Sequence, residues 1–310
     1  ASVTVADLEA ELDRLLSAGL VEATDPGPGG DPPAFVGHLA VYDTTVLVRA
    51  SPPLDVELRS AFVDLLIDAF ADGEPSVDRR LDVELVGDAW TVRWDGVASY
   101  VGPSTDLALY DSLTVLNHHA ATTATASGRT VLHGGAVGIA GRAIVVVGHS
   151  GAGKSTLTAA LTLAGHAYLA DEVVAIDDDL VVDAFHRPLG LRSGGLTALG
   201  LDIPAGPYDS VSPHRGGPSL GDRCPLGLVV ILRRSDAPTE AVLRDMSPPD
   251  ALVELANQTL GATGRERVMF RRLDAFVRRA RIAELTYFDL ADAVALLERA
   301  STEPTTGAST

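Results

Sequence analysis

The sequence predicts an α/β fold, with a phosphate-loop domain over residues 128–300, a smaller α+β domain over 1–127 ahead of it and a disordered tail over 301–310. Three observations predict it. The run Gly148-His149-Ser150-Gly151-Ala152-Gly153-Lys154-Ser155-Thr156 fits G-x-x-x-x-G-K-[ST]. It lies between an apolar strand-like run, AIVVV, and a helix-like run, LTAALTLAG, which is the context the motif requires. Near Gly128 the texture changes from helical periodicity to closely spaced β-rich runs.

Taken in order, VADLEAELDRLLSAGL places Leu8, Leu12, Leu15, Leu16 and Leu20 on one helical face, and DPGPGGDPP ends it. AFVGHLAVYDTTVLVRA reads as one or two strands. SPPLDVELRSAFVDLLIDAFADG reads as a helix opened by prolines and closed by glycine, and RRLDVELVGDAWTVRWDGVASYVG as a strand pair alternating around Trp90 and Trp94. A helix from Asp106 to Ser127 leads into two strands, TVLHGGAVGIAG and RAIVVVG. The helix Leu157 to Gly165, the strand AYLADEVVAI, a turn at Asp177, Asp178 and Asp179, its hairpin partner LVVDAF and a buried strand LGLVVILRR follow. The segment from Asp202 to Arg223, rich in Gly, Pro and Ser, reads as a mobile loop over whatever the domain binds. PPDALVELANQTL, FRRLDAFVRRARIAEL and DLADAVALLERA read as helices, the last with Asp289 as N-cap.

Composition narrows the partners. Across 310 residues, 42 acidic and 24 basic side chains give a formal charge of −18 with 46% hydrophobic residues, the mark of a soluble, acidic, globular chain. Such a surface repels phosphate backbones and anionic headgroups, so neither nucleic acid nor membrane is an expected partner. The single cysteine, Cys224, forms no internal disulfide and no thiolate metal site. With no apolar run near the roughly 20 residues of a bilayer span and no basic-then-apolar leader, the expected setting is cytoplasmic. Of the 24 basic residues only Lys154 is a lysine. That position wants a compact ammonium rather than a planar fork.

In a phosphate loop, the glycines let successive N–H groups turn inward, the helix N-terminus adds its positive end, Lys154 reaches the β and γ phosphates, and the Ser155 hydroxyl can ligate Mg²⁺. Asp171 and Glu172 lie at the end of the apolar run after one helix and one turn, where a carboxylate can hold Mg²⁺ or accept a hydroxyl proton. A solvated strand end is the other reading of that pair. His133, in the preceding hairpin, reads either as a group tuning a neighbouring carboxylate or as a packed side chain. Arg187 and Arg192 read either as a clamp on a transferred phosphoryl group or an acidic acceptor, or as exposed loop arginines. The arginines from Arg265 to Arg281 read as a solvated basic face.

The hairpin Thr130-Val131-Leu132-His133-Gly134-Gly135-Ala136-Val137, feeding the phosphate loop and followed by GHAYLADE, resembles the catalytic domain of the HPr kinase/phosphorylase family, whose nucleotide core is of the phosphoenolpyruvate carboxykinase-like type. The resemblance is specific from His133 to Val174 and looser to about residue 298. It implies a P-loop kinase domain in which residues Gly148 to Thr156 bind ATP, Ser155 helps hold Mg²⁺, Asp171 acts as base toward a hydroxyl and His133 stands beside it. Glu172 replaces the family's second aspartate, with a metal role. The extended glycine-rich signature of the bifunctional members has no counterpart between Leu201 and Leu226, so the resemblance implies a kinase without phosphorylase activity. The expected function is an ATP- and Mg²⁺-dependent kinase acting on a hydroxyl-bearing peptide, protein or small molecule. A nucleotide-responsive binding module is the alternative, and a homo-oligomer stays open.

Overall fold

The computed structural model describes residues 34–67, 76–202, 210–211, 220–261 and 264–302. The N-terminal leucine-faced helix, most of the loop expected over 202–223 and the last eight residues lie outside these. The chain divides into two units between Leu116 and Asn117.

In the first unit, β1 (Phe35–Val41), β2 (Thr44–Ala50), β3 (Arg79–Val86), β4 (Ala89–Trp94) and β5 (Val97–Gly102) form one sheet in that order. Neighbours are antiparallel except β2 and β3, whose parallel pairing follows a crossover through α1 (Leu54–Ala61). The expected strand pair is three strands, because Asp95-Gly96, both at positive φ (50° and 84°), makes a second tight turn. The expected long helix stops at Ala61. Phe62 to Ile67 are used instead to lay the chain along the edge of β1, with Ala40 and Ile67 N–H groups donating across and Leu66 bridging Leu39.

Helix α2 (Thr105–Ala126) crosses the division. The second unit carries a seven-stranded sheet. Its strands are β6 (Thr130–Ile139), β7 (Arg142–Val147), β8 (Ala167–Ile176), β9 (Val181–Asp183), β12 (Arg223–Arg234), β13 (Val242–Asp245) and β14 (Ile282–Tyr287). The short strands β10 (Leu189–Gly190) and β11 (Ser210–Val211) pair separately. The sheet order is β13-β14-β12-β7-β6-β8-β9, and β9 also pairs with the start of β12. Strands β7, β12 and β14 run parallel. β6 and β7 form a hairpin through Ala140-Gly141. Flanked on both sides, β7 buries every residue after Arg142, which is why its sequence is a continuous apolar run rather than an alternating one.

The helices are α3 (Lys154–Leu163), α4 (Ser193–Ala198), α5 (Pro248–Ala256), α6 (Glu266–Val277) and α7 (Leu290–Thr302). One core joins Val137, Ile144 and Val146 of the hairpin to Leu157 and Leu161 of α3, Val230 and Leu232 of β12, and Leu285 and Leu297 beyond them. Each such burial is worth about 1.5–3 kcal/mol. FRRLDAFVRRARIAEL is not one helix. Inward positions end at Phe276 and Val277, exposed Arg278 and Arg279 follow, and Ile282 to Tyr287 supply a strand that β12 and β13 flank. Asp289 does cap α7, its Oδ1 accepting from the N–H groups of Ala291 and Asp292. Ser301 and Thr302, placed in the tail by sequence, complete α7. Among the described residues no helix is long and apolar enough to cross a membrane.

Candidate active site

The sheet register brings the site together. Val146 of β7 faces Gly135 of β6, which faces Asp171 of β8; Val147, Gly134 and Glu172 form the next row. Asp171 is therefore two strand spacings, about 10 Å, from the strand that ends in the glycine-rich turn. The two glycines keep that distance short. A Cβ on Gly135 would lie 2.0 Å from the Thr158 hydroxyl of α3, and one on Gly134 2.4 Å from the Val146 carbonyl oxygen. With hydrogen at both positions, α3 settles onto β6, and Ser155 in its first turn donates from Oγ to Asp171 Oδ1 at 3.0 Å.

The turn itself follows β7 and opens α3. Gly148, Gly151 and Gly153 sit at φ of 152°, 83° and 97°, in the region open to glycine. Lys154 begins the helix, and its ammonium curls back over the turn, donating to the carbonyl oxygens of Gly148 at 2.9 Å and His149 at 3.4 Å. Burial pulls the Lys154 pKa down, while Glu172 and Asp171 pull it back up. From the far side, the buried Tyr287 hydroxyl donates to the Ala152 carbonyl at 3.2 Å.

Consecutive strand residues ordinarily point to opposite faces. Glu172 breaks the alternation. Its backbone sits in the left-handed region at φ 71°, a strained conformation for a glutamate inside a strand. Both carboxylates consequently reach the same place: a Cβ on Gly190 would lie 3.8 Å from Asp171 Oδ2 and 3.8 Å from Glu172 Oε1. The Gly190 N–H donates to Asp171 Oδ2 at 3.1 Å, so both Asp171 oxygens are taken, on a side chain sealed from solvent. Glu172 is about one-third exposed, at 35%, and its Oε2 lies 3.2 Å from His133 Nδ1. With its hydrogen on Nδ1 the imidazole donates to that carboxylate in either charge state.

The two acids titrate apart. Burial first, then the neighbouring Glu172 charge, pushes Asp171 up to about 6 against the opposing Arg187 charge and its two hydrogen bonds. Burial would also raise Glu172, but His133, Arg187, Lys154 and Arg192 together hold it below the usual carboxylate range. His133 is itself lowered, by burial above all.

No protein-family model matches the chain. No curated protein matches it. Among solved structures it is similar to the Hpr(Ser) kinase/phosphatase from Coxiella burnetii, with a TM-score of 0.29 and 13% identity, over 55% of this chain and 90% of that one. That degree of likeness does not make the chain a member of that family.

Most of the residues singled out by sequence converge. Lys154, Ser155, Asp171, Glu172 and His133 share one site, and His133 contacts Glu172 where the resemblance put it beside the residue matched by Asp171. Arg187 is not an exposed loop arginine: it is buried at 6%, its Nε has no hydrogen-bond partner, and its charge bears on both acids. Arg192 is exposed, at the N-cap of α4, and Thr156 packs under that helix at Gly195. His149 is exposed on the turn with Nδ1 2.9 Å from its neighbour Ser150's carbonyl oxygen. Sequence reasoning missed three contributors. Gly190 acts through a backbone N–H, which has no residue signature. Tyr287 lies in the stretch next to one misread as helix. Gly134-Gly135 stands plainly in the sequence, but only the register shows what it makes room for.

Proposed function

We propose that the chain is an ATP-dependent kinase that transfers the γ-phosphoryl group to an alcohol. The observation that carries this reading is the convergence of the turn bearing the chain's one lysine with two neighbouring carboxylates in different states, one bonded to Ser155 and the other to His133. Lys154 and the turn's N–H groups position the β and γ phosphates and offset their charge.

The roles of the two acids divide by accessibility. Asp171 has both oxygens engaged and no open path to an acceptor, whereas Glu172 is ionised, partly open and oriented by His133. Glu172 is therefore the group that takes the proton from the attacking hydroxyl, a role the resemblance gives to Asp171. The acceptor oxygen bonds to the γ-phosphorus, the bond to the β–γ bridging oxygen breaks, and ADP leaves. Arg187 and Arg192 flank the transferred group with positive charge. The donor set also fits Mg²⁺. Among the described residues no group of three or more His, Cys, Asp or Glu could hold a metal alone, but Mg²⁺ is ordinarily held by one or two carboxylates with phosphate oxygens and water. Ser155 and Asp171 would hold it, with Glu172 alongside, and the ion would neutralise charge on the phosphate oxygens.

The acceptor class is a hydroxyl-bearing peptide, protein or small molecule. Phosphorus NMR of the full chain with MgATP and a panel of such compounds tests the reading: a new phosphoester signal growing with ADP supports it. ATP that binds without yielding phosphoester across the panel would favour a nucleotide-responsive binding module instead.

A further inference from the structure

The glycine-rich turn has two sides. In the order β14-β12-β7-β6-β8, the acids lie on β8, while β12 and β14 lie across β7 and run parallel to it. β7 ends at Val147, level with Ile231; β12 and β14 continue to Arg234, paired with Tyr287. Their ends flank the turn, for a Cβ on Gly148 would lie 3.4 Å from the Leu232 Cβ and the Tyr287 hydroxyl bonds Ala152. Along β12 the side chains alternate. Leu228, Val230 and Leu232 join Ala152 and Leu157 in the core, and Arg233 faces the other way, paired with Glu254 and Glu284. Arg234 thus returns to the face of the turn, and its charge acts on the Tyr287 phenol. It is exposed, and no described residue forms an ion pair with it. Directly after Tyr287, Phe288 leaves 41% of its surface exposed at the entry to α7.

We infer that this edge is the nucleoside side of the donor site, with Arg234 on the α-phosphate and the Phe288 ring stacking on the base. The reasoning is geometric and rests on the kinase reading. If the terminal phosphate turns toward Asp171 and Glu172, the rest of the nucleotide leaves the turn on the opposite side, at the carboxyl ends of parallel strands where such ligands sit. A guanidinium suits a phosphate, and an aromatic face suits any purine.

Calorimetric titration of the full chain with MgATP and with magnesium tripolyphosphate separates base from phosphates. Phe288→Ala is expected to weaken ATP about tenfold, leave tripolyphosphate within about twofold, and be rescued by Phe288→Trp. Arg234→Ala is expected to weaken both ligands by a similar factor. Equal loss of both ligands in Phe288→Ala, or no loss of either, would place the base elsewhere; an Arg234→Ala without effect would remove the α-phosphate contact. A wild-type chain that binds neither ligand would overturn the phosphate-loop reading itself, whereas one that binds the two equally well would overturn the base platform alone.

Discussion

Asp171 is a carboxyl group held where its charge is least welcome, sealed from water beside a second acid. Its folded value of about 6 lies above the ordinary unfolded value near 3.9, so the folded state binds the proton more tightly. The stability this gives is full below about pH 4 and is lost as pH rises through 6. Asp171→Asn has nothing to lose there. The variant should be more stable than the wild type at pH 7.5, by about 2 kcal/mol, with the gap closing near pH 4; thermal melts across that range decide it, and a gap that ignores pH would mean burial is not the cause. Glu172 carries a different expectation. Glu172→Gln should keep nucleotide affinity within a few-fold while phosphotransfer falls by about 100-fold or more, read from binding and single-turnover assays on the same preparation. Equal losses would make Glu172 a binding group. The contact that distinguishes the two acids was not legible in the sequence, because alternation puts neighbours on opposite faces and only the left-handed backbone at Glu172 undoes it.

At the scale of elements, β7, the turn and α3 were legible because every signal in them is local: an apolar run, glycines, then a helix-forming run. Closeness of α3 to β6 was not, since it depends on a side chain from each. Gly135→Ala would drive a methyl into Thr158, a buried residue whose hydroxyl has no hydrogen-bond partner. It should cost about 2–3 kcal/mol. Adding Thr158→Ala should recover a large part of that loss, because the clash is mutual, and urea denaturation of the four members of the cycle measures the coupling. Strict additivity would show that Gly135 is not what brings α3 down. The helix misread across Ile282 to Tyr287 has a similar lesson: a short apolar stretch after a basic helix carries no period of its own, and its identity comes from β12 and β13 on either side.

Across the molecule, the division into an α+β unit and an α/β unit could be seen in the change of texture, although the structure divides inside α2, where the sequence offers no break. The closure of the second sheet could not. Strands β7, β6, β8, β9 and β12 complete a circuit of pairings, and Asp183 ties it, accepting from Arg129 and Arg223 at 2.6 Å each. Asp183→Asn should destabilise the chain by about 2 kcal/mol in chemical denaturation; unchanged stability would mean that backbone pairing alone closes the circuit. The same sheet delivers its strand ends and its two acids to one glycine-rich turn, and on that meeting the proposed chemistry depends. Calorimetric titration of MgATP into the wild type and Lys154→Ala examines it most directly. Saturable one-to-one binding that weakens by about 100-fold or more in the variant is the expected result, and equal affinity in the two proteins would contradict it.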